Sequence, residues 1–485
     1  MTLDLAASVR ASIAQGGECG MIAFAGRWRS WRWLSETAEA IDTALGDADA
    51  VGLVARNRPQ HIAAFAAGLL ARRTTAMIYS AQSPAAIAAD IRKLRLPAVL
   101  ADPQDWSPEA LAAARETGSA AIAISDASPA EAVKTLISHG DGPFRDPVPH
   151  TAFELLSSGT TGAPKRVPLS WDAITAAVAN AKAAYAGTGG TDAPQVMVHP
   201  LGNVAGLAYA APPLAYGRRL VLLEKFDALA WAEAVRDYRP VRGTLPPAGV
   251  RMLLESAIPT DYLSSLSLLA VGGGKLDPDI HEAFENRFSI PILTAFGATE
   301  FGGVIANWTL DGYREWGAAK RGSAGRASAD VTLRIVDRED FHPLGSGEIG
   351  LLEAQVTRIG PGWIRTTDLA SIDSDGFLFL HGRADAAINR GGFKIVPDAV
   401  VAVLKEHPAV ADAVIVGIPD ARLGEVPVAA VELAAGGGAD GESLRAWLKD
   451  RLVAYQVPVS VTVVDALPRN ASMKISLPDV RALFV

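Results

Sequence analysis

The residues best suited to chemistry first gather between Phe153 and Leu169, where the chain reads FELLSSGTTGAPKRVPL. A short apolar run leads into Ser157, Ser158, Gly159, Thr160, Thr161 and Gly162, and Ala163 and Pro164 then deliver Lys165. Glycines let backbone N–H groups turn inward and approach an anion closely. The serine and threonine hydroxyls add donors, and Lys165 adds a positive charge. The pattern predicts a phosphate-cradling loop rather than an ordinary Ser/Gly turn, because hydroxyls and glycines run unbroken towards Pro-Lys. It is not the P-loop of NTPases, since G-x-x-x-x-G-K-[ST] is not matched. Other chemistries are poorly served. The single cysteine, Cys19, excludes an internal disulfide framework and a multi-cysteine zinc site. The eight histidines show no triad spacing, and His199 and His381 read as hydrogen-bonded structural residues.

Further short motifs follow in order: Phe296–Glu300 (FGATE), Trp363–Asp368 (WIRTTD), Asp373–Arg383 (DSDGFLFLHGR), Arg390–Pro397 (RGGFKIVP) and Leu467–Ile475 (LPRNASMKI). Each alone reads as a turn or a charged loop. As an ordered set spanning residues 157–475 they resemble the adenylate-forming superfamily of acyl-CoA synthetases, adenylation domains and luciferases. The resemblance implies ATP, Mg²⁺ and coenzyme A as cofactors. It implies that the loop 157–165 holds the β- and γ-phosphates, that Phe296 and Gly297 border the adenine, and that Thr299 donates to the α-phosphate. Glu300 would hold Mg²⁺, Asp368 would accept from the ribose hydroxyls, and Arg383 would help to anchor the ribose. Lys474 would be the catalytic lysine, assisted by Lys165, Thr299 and Glu300.

The implied reaction has two halves. A carboxylate attacks the α-phosphorus of ATP, giving acyl-adenylate and pyrophosphate, and a thiol then attacks the acyl carbon and expels AMP. Two anions meet in the first half, so the site must neutralise charge and align them. No general base is needed there, because the acid is already ionised at pH 7. The family rotates its small domain between the halves about the second residue after Gly-Arg, here Asp385, and this brings a face carrying Gly391, Gly392 and Lys394 to the thiol.

Several positions depart from the family pattern. Arg166 stands where Gly usually follows Pro-Lys, Thr367 replaces the Gly before Asp368, and Met473 replaces the Gly before Lys474. Met473 restricts the backbone beside the lysine. Pro200–Leu207 (PLGNVAGL) resembles P-L-x-H-x-x-G-L with Asn203 in the histidine place. Asn can donate a hydrogen bond but cannot titrate. Ala270–Leu276 (AVGGGKL) resembles [SA]-G-G-A-P-L, and Gly272, Gly273 and Gly274 leave room along the adenine and acyl walls. Gly273, Gly274 and Lys275 count among the nucleotide-binding candidates, and Lys275 also as a weak partner for an anionic substrate tail. The acyl pocket is assigned to Asn203, Val204, Leu207, Gly272 and Ala298. Amino-acid-activating relatives place an Asp in the pocket segment. None stands in Pro200–Leu207, so an apolar acid, aryl or medium-chain, is expected.

The elements that must position these residues read as α/β. His61 to Ala71 is apolar nearly all round, which suits a helix buried on a sheet, and Ala98–Ala101 and Ala120–Ile124 fit parallel strands covered on both faces. Val331–Val336, Glu348–Ala354 and Gly376–Leu380 suggest a small β-rich subdomain. Beyond it, Asp398–Glu406 and Ser443–Leu452 read as helices and Val410–Val416 as a strand. The expected architecture is a large N-terminal α/β domain with that subdomain, residues 1–384, followed by a small mobile α+β domain, residues 385–485. A formal net charge of −8 argues against gripping nucleic acid or anionic lipid. No apolar run reaches a membrane span, and the N-terminus carries no basic-then-apolar leader, so a cytoplasmic protein is expected. The acceptor is expected to be CoA. A carrier protein's phosphopantetheine arm is the alternative, and a decayed, noncatalytic nucleotide binder fits poorly with the charged set retained here. Oligomeric state is not legible.

Overall fold

The structure, a computed structural model, describes residues 3–156, 165–186, 193–384, 386–390, 393–470 and 473–484. The loop residues 157–164, Asp385, Gly391 and Gly392 lie outside the described residues. The chain packs into two compact units, the first running to Arg321 with Val356–Pro361 added, the second built from Gly322–Gln355 and Gly362 onward.

The first unit holds a seven-stranded sheet in the spatial order Val133–Ile137, Ala120–Ile124, Ala98–Ala101, Ala50–Ala55, Thr74–Tyr79, Thr151–Leu156 and Arg166–Ser170. The five inner strands pair in parallel and the two edge strands antiparallel. Ala50–Ala55, Ala98–Ala101 and Ala120–Ile124 are buried at every position, as strands covered by helices on both faces should be. The helix expected from His61 starts two residues earlier, at Pro59, where a proline in the first turn loses no hydrogen bond. It ends at Arg72 in the left-handed region. Phe65 on this helix stacks on Phe153 with ring centroids 5.1 Å apart. Both rings are fully buried, and Phe65→Ala would cost about 3–5 kcal/mol. Two smaller sheets complete the unit. One runs Gln195–Met197, Leu220–Leu222, Gly20–Phe24 and Arg27–Ser30, and the other has Arg242–Leu245, Leu268–Val271 and Ile292–Ala298 in parallel, with Gly303–Asn307 antiparallel beside the last.

The second unit contains the β-rich sheet, Val331–Val336, Gly350–Val356, Trp363–Ile372 and Leu378–Arg383. Two of its strands begin two residues later than expected, and the sequence does not predict the ten-residue strand Trp363–Ile372, because Thr366, Thr367 and Asp368 break its apolar alternation. Buried Glu353 ties three of these strands together through Arg334 and Arg365. Burial alone would raise its carboxyl, but those two hydrogen bonds hold it below the usual carboxylate range. The remaining sheet pairs Val410–Asp420 along its length with Gly424–Leu433, and Ser460–Val464 joins the latter in parallel. Helices Pro397–Lys405 and Gly441–Lys449 pack on it, the second opened by a capping box between Asp440 and Ser443. By packing, the β-rich sheet clusters with the C-terminal elements. Among the described residues, no helix is long and apolar enough to cross a membrane.

Candidate active site

The phosphate-loop segment is the connection between strands Thr151–Leu156 and Arg166–Ser170, whose register closes on Leu156 opposite Arg166. Ser157, Ser158, Gly159, Thr160, Thr161 and Gly162 lie outside the described residues. Lys165 is described and exposed, at the foot of the second strand.

Two of the sequence-assigned segments meet in the first unit. Strands Leu268–Val271 and Ile292–Ala298 are parallel neighbours, so Gly272–Lys275 and Phe296–Glu300 emerge side by side at their carboxyl ends. Ligands of open α/β sheets bind at such ends. Gly297 is dictated by close approach: a Cβ there would lie 2.3 Å from the carbonyl oxygen of Gly303 on the adjoining strand. Thr299–Phe301 then forms a single 3₁₀ turn, anchored by buried Phe301 and closed by Gly302 at φ +64°. The turn leaves the Glu300 carboxylate exposed. A lone accessible carboxylate fits Mg²⁺, which takes one or two carboxylates together with substrate phosphates and water. Lys275 is exposed, and Gly273 sits at φ +83°.

Asn203, assigned to the acyl pocket, caps the helix Val204–Tyr216 by accepting from the backbone N–H of Gly206 at 2.7 Å. Leu207 is buried in the main core and Val204 packs against that core. The segment is fixed by a residue that sequence reasoning missed. Asn57 donates to the carbonyl oxygens of His199 and Leu223 at 3.0 and 3.1 Å and accepts from the N–H of Leu201 at 2.9 Å. Next to it, His199 stacks on Tyr209 and hydrogen-bonds Thr244, whose hydroxyl donates to Tyr209. Burial pushes this imidazole down to about 4.

In the second unit, Asp368 and Arg383 are direct cross-strand partners in the antiparallel pair Trp363–Ile372 and Leu378–Arg383. Such partners hold their Cβ atoms about 4.5–5.5 Å apart, close enough for the two side chains to address one small polar group together. A register shift between Leu369 and Ala370 creates this pairing. Thr366 braces it, accepting from the N–H of Asp368 and donating to the carbonyl of Leu352, each at 3.0 Å. His381 bonds Ser371, the structural role expected for it.

Lys474 sits on a tight turn between bridge partners Arg469 and Ile475. The Asn470 N–H donates to the Lys474 carbonyl, the Met473 N–H to the Asn470 carbonyl, and the Lys474 N–H to Asn470 Oδ1. Met473 has φ +59°, the left-handed conformation that favours glycine, so the departure at this position carries strain. Arg469 anchors the turn on buried Asp412 at 2.8 Å. The Lys474 side chain is exposed. Lys394 lies on the short strand Phe393–Ile395.

Comparison with known proteins agrees with this inventory. The family described as "AMP-binding enzyme" matches residues 12–358, and its "AMP-binding enzyme C-terminal domain" matches 400–474. An indoleacetate–CoA ligase of Aromatoleum aromaticum is 32% identical over 373 residues, 71% of this chain and 70% of that protein. A 4-coumarate–CoA ligase-like protein of Arabidopsis thaliana is 30% identical over 346 residues, 67% of this chain and 60% of its own length. The structure of an O-succinylbenzoate coenzyme A synthetase from Bacillus subtilis, in complex with ATP and magnesium ion, superposes with a TM-score of 0.79 at 22% identity over 98% of this chain and 99% of that one, a likeness of fold. With more than half of the chain, residues 12–358, matched by one family, the protein belongs to the AMP-binding enzymes, the adenylate-forming family.

Proposed function

We propose that the chain is an AMP-forming acyl-CoA synthetase that activates a hydrophobic carboxylic acid, aryl or medium-chain, and passes the acyl group to coenzyme A. The observation that supports this reading is the cross-strand pairing of Asp368 with Arg383, which sets a carboxylate and a guanidinium on neighbouring strands, the two groups assigned to the ribose. The CoA ligases among its relatives support the acceptor. The absence of an acidic residue from Pro200–Leu207, and the apolar neighbours Val204 and Leu207, support an apolar acid.

Each role follows from what the group can do. A carboxylate oxygen attacks the α-phosphorus and pyrophosphate leaves. Lys474 offsets the charge of the two anions as they meet. Lys165 and the hydroxyls from Ser157 to Thr161 hold the departing phosphates, and Thr299 donates to the α-phosphate. Glu300 would hold Mg²⁺, which would supply positive charge against the phosphates. Phe296 offers its ring to the adenine beside Gly272–Gly274, while Asp368 and Arg383 hold the ribose. In the second half the thiol sulfur attacks the acyl carbon and AMP leaves, the small domain having turned about Asp385 to present the face of Gly391, Gly392 and Lys394. The test is incubation with ATP, Mg²⁺ and a panel of aryl, medium-chain and amino acids, with CoA or a holo carrier protein as acceptor, reading AMP and thioester. Thioester on CoA from an apolar acid supports the reading. AMP release only with amino acids, or thioester only on the carrier, refutes it.

A further inference from the structure

The base of the phosphate loop is built in a way that the family pattern does not foretell. Arg166 stands in the usual glycine place, yet its side chain does not go to solvent. It reaches past the strand Thr151–Leu156 to the next one, where Nη1 donates to the carbonyl oxygen of Met77 at 3.0 Å. Nη2 lies 3.3 Å from Asp90 Oδ2 on the helix Pro84–Leu94. Asp90 is itself held by Gln82, which also donates to the carbonyl of Tyr79. Glu154, buried on the strand leading into the loop, bears on the same guanidinium and pairs with Arg145 at 2.7 Å. Burial pushes the Arg166 guanidinium below its ordinary range, and Asp90 and Glu154 oppose that push. The cluster thus balances Arg145 and Arg166 against Asp90 and Glu154.

A largely enclosed arginine loses hydration and side-chain freedom, so its presence where glycine suffices calls for a function. Its backbone closes the loop opposite Leu156, one residue from Lys165. We propose that Arg166 is a positioning residue that pins the C-terminal foot of the phosphate loop to the strand Thr74–Tyr79 and the helix Pro84–Leu94, and so fixes Lys165 for the β- and γ-phosphates of ATP. This rests on the reading that the loop holds those phosphates.

The test is calorimetric titration of the full chain with Mg²⁺–ATP and, separately, with AMP, which lacks the two phosphates in question. Arg166→Met is expected to weaken ATP binding about tenfold while AMP binding stays within twofold, and Arg166→Lys to recover part of the loss. A variant that merely loosened the fold would weaken both nucleotides together, and that result, or no change in either, overturns the inference. Wild-type protein that binds AMP as tightly as ATP overturns the phosphate-loop reading and this inference with it, whereas discrimination in the wild type that survives in Arg166→Met overturns this inference alone. Should Arg166→Met fail to fold with Asp90 left without its guanidinium partner, Asp90→Asn serves in its place. It keeps the guanidinium but frees it from the helix, so a selective loss for ATP supports the proposal and unchanged discrimination overturns it.

Discussion

Lys474→Ala separates the two half-reactions. The N–H groups of Asn470, Met473 and Lys474 donate hydrogen bonds within the turn that carries this lysine, and these bonds are made by backbone donors. Truncation leaves those backbone bonds in place, and substitution of an exposed side chain commonly changes stability by only about 0.5 kcal/mol. The effect on rate is larger. A fixed donor aimed at charge that develops in the transition state contributes about 3–4 kcal/mol, or roughly 10²–10³-fold. That loss should fall on adenylation alone, because only there do a carboxylate and a phosphate meet. Acid-dependent ATP–pyrophosphate exchange should drop by this factor, while single-turnover transfer from supplied acyl-adenylate to CoA should stay within a few-fold of wild type. Equal losses in both assays, with an unchanged unfolding midpoint, would remove Lys474 from the first transition state.

Three further outcomes are expected. Asp368→Ala should raise the apparent KM for ATP far more than that for the acid, because a group binding the ribose acts in ground and transition states alike; an unchanged ATP KM would place Asp368 outside the nucleotide site. Met473→Gly should leave the urea midpoint equal or higher, since relief of a left-handed methionine, about 1–2 kcal/mol, offsets the roughly 0.5–1 kcal/mol of added chain entropy, whereas β-branched Met473→Val should lower it; a clear drop for glycine would contradict the strain. His199 titrates at about 4 when folded and near its ordinary 6.5 when unfolded, so the unfolded chain takes up the proton first and stability present above pH 6.5 is lost as pH falls towards 4. The shift corresponds to roughly 3 kcal/mol, and His199→Gln should flatten the dependence of the unfolding midpoint on pH in that window; an unaltered slope would assign it to other groups.

The residues assigned to the nucleotide were legible because that chemistry demands particular types at particular spacings. FGATE needs its glycine for strand clearance, and its glutamate falls on the turn that the glycine permits. Strands such as Ala98–Ala101 were legible because burial on both faces leaves no polar position. The pairing of Asp368 with Arg383 was harder. Each motif was visible, but their opposition depends on a register shift at Leu369, and no periodicity marks it. The same irregularity hid the strand Trp363–Ile372, whose polar centre breaks the alternation that strands are read from.

What stayed invisible is the support beneath these residues, and the reason is physical. A group that touches a phosphate or a ribose is constrained by that ligand, so its type can be read from one chain. A supporting side chain is constrained only by its partner, which can lie anywhere in the sequence. Asn57 organises the pocket segment from more than 140 residues away, through backbone groups that any sequence possesses. Asp412 takes Lys405 and Arg469 together and so sets the base of the Lys474 turn, yet in sequence it is one acidic residue in an apolar strand. Arg166 and Asp90 are likewise meaningful only as a pair. Two departures of this chain from its family fall at such a support and at a turn, Arg166 and Met473, while the charged residues assigned to the reacting groups are retained. Differences between this enzyme and its relatives should therefore appear first in how firmly the nucleotide groups are positioned, and only then in which groups act.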